Sequence, residues 1–167
     1  MRSEYFEVYL NSAKSLSGST TPHICRYNLG SVYDFTPHLQ RFSNAPYCYV
    51  KVKYFSVEET ASNFNSAGVG TILIKIDNAL PNSLETQAIS TSNNKNLQQS
   101  NIIGIVPTSA NDNTYSSNTF DNDFIKSPNI FNGDITITLT DQDGANITLT
   151  GSKPYVMLLC VMFEDNP

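Results

Sequence analysis

Tryptophan is absent from this 167-residue chain and charge is scarce, with 15% Asp, Glu, Lys and Arg, where an average soluble domain carries about a quarter. Ten basic against 15 acidic residues give a net charge of −5, and no basic run occurs. A phosphate-neutralising surface has nothing to be built from, which argues against nucleic-acid binding. No apolar stretch reaches the length of about 18 residues that a spanning helix needs. Met1-Arg2-Ser3-Glu4 leads straight into an alternating segment instead of an apolar leader. The expectation is synthesis in the cytoplasm, with no signal peptide and no direct membrane insertion. Cys25, Cys48 and Cys160 are odd in number and lack CxxC spacing, as unpaired thiols in a reducing compartment would be. The glycosylation sequon Asn146-Ile147-Thr148 is then a chance match.

What is abundant is short and polar: 19 Asn, 19 Ser and 15 Thr, beside 9 Tyr and 9 Phe. Asn and Ser compete with the helical backbone for hydrogen bonds, whereas Thr and the aromatics favour strands, so a helical bundle is excluded. The length suits one domain over 1–167 with a sizeable core.

Period-two alternation marks the strands. Ser3 to Leu10 sets Phe6, Val8 and Leu10 against Tyr5, Glu7 and Tyr9; a loop over 15–21 precedes a short strand from His23 to Leu29. Phe35 to Asn44 reads as a connection with one helical turn. From Tyr47 to Val57, Cys48, Val50, Val52 and Tyr54 face one way and Tyr49, Lys51, Lys53 and Phe55 the other. Thr71 to Asp77 carries the row Ile72, Ile74, Ile76, and Ile102 to Val106 ends at Pro107. Leu84 to Ser90 reads as a weak strand, Thr91 to Ser100 as a polar loop, and Thr108 to Ser127 as a long ordered loop. Gly133 to Thr140 and Ala145 to Thr150 read as a β-hairpin turning at Asp143-Gly144. Tyr155 to Phe163 is apolar on both faces, which fits a central strand or one covered by another subunit. About eight strands without crossover helices predict an all-β, antiparallel sandwich with long loops, a single jelly roll ahead of an immunoglobulin-like fold.

Chemistry-bearing motifs are missing: no G-x-S-x-G, H-E-x-x-H, P-loop or dinucleotide fingerprint occurs, so neither an enzyme nor a bound cofactor is expected. His23, Cys25, His38 and Cys48 are the one grouping with ligand or nucleophile chemistry. Their spacing matches no usual zinc site, and burial explains the cysteines. Asp141-Gln142-Asp143-Gly144 resembles the start of a calcium loop, but Ala145 stands at position five, and a turn accounts for it. Arg26, Lys51 and Lys53 make at most a small positive patch. Tyrosines placed outward on strands (Tyr5, Tyr9, Tyr47, Tyr49) suit protein or sugar contact.

The order of segments resembles the small single jelly-roll virion proteins of large eukaryotic double-stranded DNA viruses and their virophage-like relatives. The residues that carry the resemblance begin with Tyr5-Phe6-Glu7-Val8-Tyr9-Leu10-Asn11-Ser12. They continue through Thr71-Ile72-Leu73-Ile74-Lys75-Ile76-Asp77-Asn78, Pro81-Asn82-Ser83 and Ile102-Ile103-Gly104-Ile105-Val106-Pro107 to the segment from Asn129 to Gly144. Within that group a chain of this size is similar to the penton, which closes each fivefold vertex of an icosahedral capsid as a homopentamer. The resemblance implies a structural role in the virion, neighbouring major and minor capsid proteins as partners, and no catalytic residues. A minor capsid, cement or fibre-base protein is the alternative within the virion. A carbohydrate-binding sandwich using Tyr115 and Phe120 is the alternative outside it. Surface for subunit contact is expected at Tyr49, Phe55, Met157 and Met162, each assigned to a face opposite a core row.

Overall fold

The alternating segments of the sequence, and the apolar segment from Tyr155 to Phe163, become its strands. In the computed structural model, which describes residues 3–16, 23–58, 71–77, 83–86, 97–108, 114–117, 124–142, 144–147 and 154–164, these segments form β1 (Ser3–Asn11), β2 (Ile24–Asn28), β3 (Tyr47–Glu58), β4 (Thr71–Ile76), β7 (Ile102–Pro107), β10 (Asp134–Thr140) and β11 (Tyr155–Glu164). Shorter strands are β5 (Ser83–Thr86), β6 (Leu97–Ser100), β8 (Thr114–Ser117) and β9 (Ile125–Pro128). Every ladder among them is antiparallel.

One sheet runs β1-β11-β3, with β8 and β9 sharing the far edge of β3; the other runs β2-β10-β4-β7, and β5 pairs β6 apart from both. The pairings nest along the chain. β4 pairs β7, β3 pairs β8 and β9 outside them, β2 pairs β10 outside those, and β1 pairs β11 outermost. The two larger sheets face each other across one buried cluster, as the expected antiparallel sandwich requires. Ile72, Ile74 and Ile76 from one sheet and Val50, Val52, Leu159 and Val161 from the other are wholly buried in it. Gly104 on β7 marks a close approach: a Cβ there would stand 3.2 Å from Val52 Cγ2 and 3.3 Å from Ile74 Cδ1.

A turn of α-helix, α1 (Val32–Phe35), and a 3-10 helix (Pro37–Phe42) connect β2 to β3. Thr36 precedes Pro37 and leaves the helical region, at φ −131° and ψ 71°, so α1 stops there. Leu39 and Phe42 close one end of the core, where Phe42 stacks on Phe163 at 4.7 Å between centroids and Phe6 on Phe131 at 5.1 Å. The buried Asn129 fastens this end. Its Nδ2 donates to the Tyr33 hydroxyl (2.8 Å) and to the Ala45 carbonyl (3.0 Å), and its Oδ1 accepts from the Phe131 amide (3.1 Å).

Several sequence expectations change. On β3 the register against β11 shifts between Leu158, opposite Tyr54, and Leu159, opposite Val52, leaving Lys53 as the extra residue of a bulge. The bulge reverses the alternation, so Phe55 is wholly buried and Tyr54 turns toward the outer face. Met157 is also core, because β11 buries its odd-numbered residues from Tyr155 to Phe163. Phe55 and Met157 are therefore not contact surface. The polar segment 91–100 ends in β6, and 108–127 contains β8 and most of β9, both held by β3.

Of the expected hairpin, the described residues show the turn and the first pairings of its arms, Asp141 with Ala145 and Ile147 with Leu139. Gly144 has φ 82°, its amide donates to the Asp141 carbonyl, and Asn146 forms a single bridge with Thr140. Strand β2 holds β10 along one edge as far as Thr138 and β4 holds the other. Thr148 to Thr150 lie outside the described residues.

Asn129→Ala should lower stability by about 2–3 kcal/mol, because it strands the Ala45 carbonyl and the Phe131 amide in a buried site. Gly104→Val should cost about 1–3 kcal/mol by overpacking against Val52 and Ile74. Urea unfolding of both variants, read by far-UV circular dichroism, checks these values.

Candidate interaction surface

The outer face of the β1-β11-β3 sheet is built in rows set by strand register. Asn11, Val156 and Ser56 form one, Tyr9, Leu158 and Tyr54 the next, Glu7, Cys160 and Lys51 a third, and the positions of Tyr5, Met162 and Tyr49 a fourth. Down the middle runs an apolar stripe of Val156, Leu158, Cys160 and Met162 from the central strand. Tyrosines flank it. Tyr9 is 62% exposed, and Tyr49 is half-buried with its hydroxyl donating to Glu164 Oε2 at 3.3 Å. Of the residues expected to make contacts, Tyr49 and Met162 lie on this face, and the register brings them side by side.

Charge on the face is partly matched. Lys53 pairs with Glu7 across β11, and Lys51 Nζ sits 4.9 Å above the Phe124 ring. An exposed pair of the first kind adds under about 1 kcal/mol, and Lys51 has a ring in place of a carboxylate beside it. Burial raises the Cys160 thiol pKa, the nearby Lys51 opposes that shift and the Glu7 carboxylate adds to it. The expected patch of Arg26 with Lys51 and Lys53 is not assembled, since β2 and β3 belong to different sheets. Arg26 instead meets Asp134 on β10 at 3.5 Å.

Two open grooves lie beside the connection between β2 and β3. One, of about 490 Å³, is floored by Phe6, Val8, Leu29 and Phe131 along β1. The other, of about 600 Å³, lies at the start of β3 and is lined by Arg41, Phe42, Tyr47, Tyr49, Lys126 and Glu164. Lys126 Nζ stands 4.2 Å over the Tyr47 ring, and the Arg41 guanidinium 4.8 Å over Phe42. Stacking of this sort attracts a cation to the ring face that it covers. Sequence reasoning passed over Arg41 and Lys126, which are 85 positions apart and meet only because β9 returns to the edge of β3.

No protein-family model matches the chain, and no curated protein matches it by sequence.

The cysteines form no disulfide, and all three are buried. Cys25 on β2 and Cys48 on β3 lie in different sheets, His38 is exposed on the 3-10 helix, and no group of three or more metal-ligating side chains occurs among the described residues. Asp141 serves the turn, its Oδ1 accepting from the Ala145 amide at 2.9 Å. The side chain of Tyr115, and Phe120 altogether, lie outside the described residues. Deeper in, the Tyr27 and Tyr155 hydroxyls meet at 3.2 Å and bridge the two sheets; burial raises the pKa of both. Burial likewise pushes the Cys48 thiol from 9.0 up to about 11, while its Sγ donates to the Pro128 carbonyl at 3.6 Å.

These buried acids make the fold sensitive to alkali. Unfolding releases Cys48 to ionise near its ordinary value, so its contribution is full below about pH 9 and is lost as pH rises toward 11. The loss amounts to roughly 2–3 kcal/mol for that thiol, and Tyr27 and Tyr155 add theirs above about pH 10. Urea unfolding between pH 7 and pH 11 should show the decline, and Cys48→Val should remove the thiol's share of it.

Proposed function

We propose that this protein is a structural subunit of an icosahedral virion, a single jelly roll that closes the fivefold vertices as a homopentameric penton. The observation that carries the reading is the nested pairing of strands into two facing sheets, β1-β11-β3 with β8 and β9 against β2-β10-β4-β7. This nesting supports a jelly roll of two Greek keys, an architecture of viral capsid domains as well as of lectins and cupins. The resemblance in the segments around β1, β4, β7 and β10 points the same way.

A shell subunit needs a rigid body and side surfaces that complement their neighbours, with no reacting groups. The apolar, tyrosine-flanked outer face around β11 suits that task, because aromatic and Met side chains favour the centre of an interface and unmatched charge disfavours it. Neighbouring major and minor capsid proteins are the further partners this reading assigns. In it, each contact between copies buries on the order of 1,600 Å², and the many contacts of the shell act together.

Native mass across a concentration series, followed by electron-microscope class averages, tests the proposal. A five-copy ring is expected. A monomer at every concentration up to the millimolar range would overturn the pentamer and favour a cement or glycan-binding role. Leu158→Lys should dissociate the ring while leaving the far-UV spectrum unchanged, since Leu158 lies on the outer face and not in the core.

A further inference from the structure

Phe35 is the most exposed large apolar side chain among the described residues, at 82%. It ends α1, with the exposed Asp34 beside it, and no base among the described residues pairs with that carboxylate. Pro37 fixes where this knob stops. Its neighbours Val32 and Thr36 line the groove along β1, which places the knob on the β1 side of the sandwich.

The groove of Arg41, Tyr47, Tyr49 and Lys126 opens on the other side, at the far edge of β3. Across β1, β11, β3 and β9 there are three strand spacings, about 14 Å in all. Its volume of about 600 Å³ falls in the range that accepts a bulky apolar group. Lys126, which has no acidic partner among the described residues, is exposed and held against the Tyr47 ring.

The knob carries an acid, and the groove carries two bases, Arg41 and Lys126, against one acid, Glu164, which already accepts from the Tyr49 hydroxyl. Copies with a net charge of −5 repel one another, so contact is favoured where an acid of one copy meets a base of the next. We propose that Phe35 and Asp34 of one copy insert into the groove of Arg41, Tyr47, Tyr49 and Lys126 of the next, in a head-to-tail contact. Such a contact joins unlike surfaces and closes into a ring if the rotation allows. This deepens the penton reading and rests on it.

The test compares the full chain with Phe35→Ala, Lys126→Glu and the double variant Asp34→Lys/Lys126→Glu by sedimentation equilibrium, with circular dichroism as the control for folding. Phe35→Ala and Lys126→Glu should each raise the concentration needed for assembly by about tenfold or more, as loss of a central anchor does. The double variant should recover part of that loss. An equimolar mixture of Phe35→Ala and Lys126→Glu should form a 1:1 pair and no ring, since it keeps one intact knob and one intact groove.

Rings that persist in both single variants would overturn the knob-and-groove contact and leave the penton reading standing. Loss of the ring in both, with no pair in the mixture, would assign the two residues to separate contacts and overturn it as well. A wild-type chain that stays monomeric at every concentration would remove the penton reading and this contact together. Should Lys126→Glu fail to fold, Lys126→Ala takes its place in the mixture.

Discussion

Strand β11 must be hydrogen-bonded along both edges at once, and most of the architecture follows from that demand. Its ten residues pair with β1 on one side and β3 on the other, so the beginning and the end of the described chain are locked side by side. A strand so placed has no free edge, and its inward residues Tyr155, Met157, Leu159, Val161 and Phe163 supply a continuous wall of the core. The nested ladders inside it then have only one compact arrangement, two sheets laid face to face. Gly104 shows how closely the sheets approach where no side chain intervenes.

The ends of the sandwich are closed by different means. At the end near the 3-10 helix, Phe6, Phe42, Phe131 and Phe163 form an aromatic cluster, and Asn129 satisfies the backbone groups that the irregular connection would otherwise bury unpaired. Toward the other end, the Ser12 hydroxyl accepts from the Tyr155 amide and the Tyr27 and Tyr155 hydroxyls join the sheets. Polar side chains inside this protein are thus few, and among the described residues the buried Ser127 and Thr140 hydroxyls stand without a hydrogen-bond partner. Charges, few to begin with, are kept on the outer faces as local pairs such as Arg26 with Asp134 and Lys53 with Glu7. A surface with few charges and many tyrosines is suited to association.

Much of the fold was legible in the sequence because burial on one face imposes a two-residue period. Ile72, Ile74 and Ile76 on β4 and Ile135, Ile137 and Leu139 on β10 are buried as that period requires. The period misled at one point on β3, where the bulge at Lys53 sends Phe55 inward and Tyr54 outward. No local signal marks that bulge; it exists because β11 pairs β3 in a register that leaves one residue over. Strands β6, β8 and β9 were hidden for a related reason. Their residues are too polar or too irregular to alternate, and the backbone bonds offered by β5 and β3 hold them. Of the four residues expected at a contact surface, Tyr49 and Met162 lie on the outer face of their sheet, whereas Phe55 and Met157 are core.

By itself the sequence determined the class of structure. Asn, Ser and Thr in abundance, alternating β-branched residues and an apolar final strand leave an antiparallel all-β domain as the way to bury its apolar surface. Tertiary structure alone decided which strands are neighbours, which face of β3 is inner on either side of its bulge, and which distant side chains share a groove. Arg41 and Lys126, or Glu7 and Lys53, meet through ladders between segments far apart in the chain. The partners in such ladders compete for the same backbone edges, and only the whole assembly settles that competition, as the register of β3 against β11 at Lys53 shows.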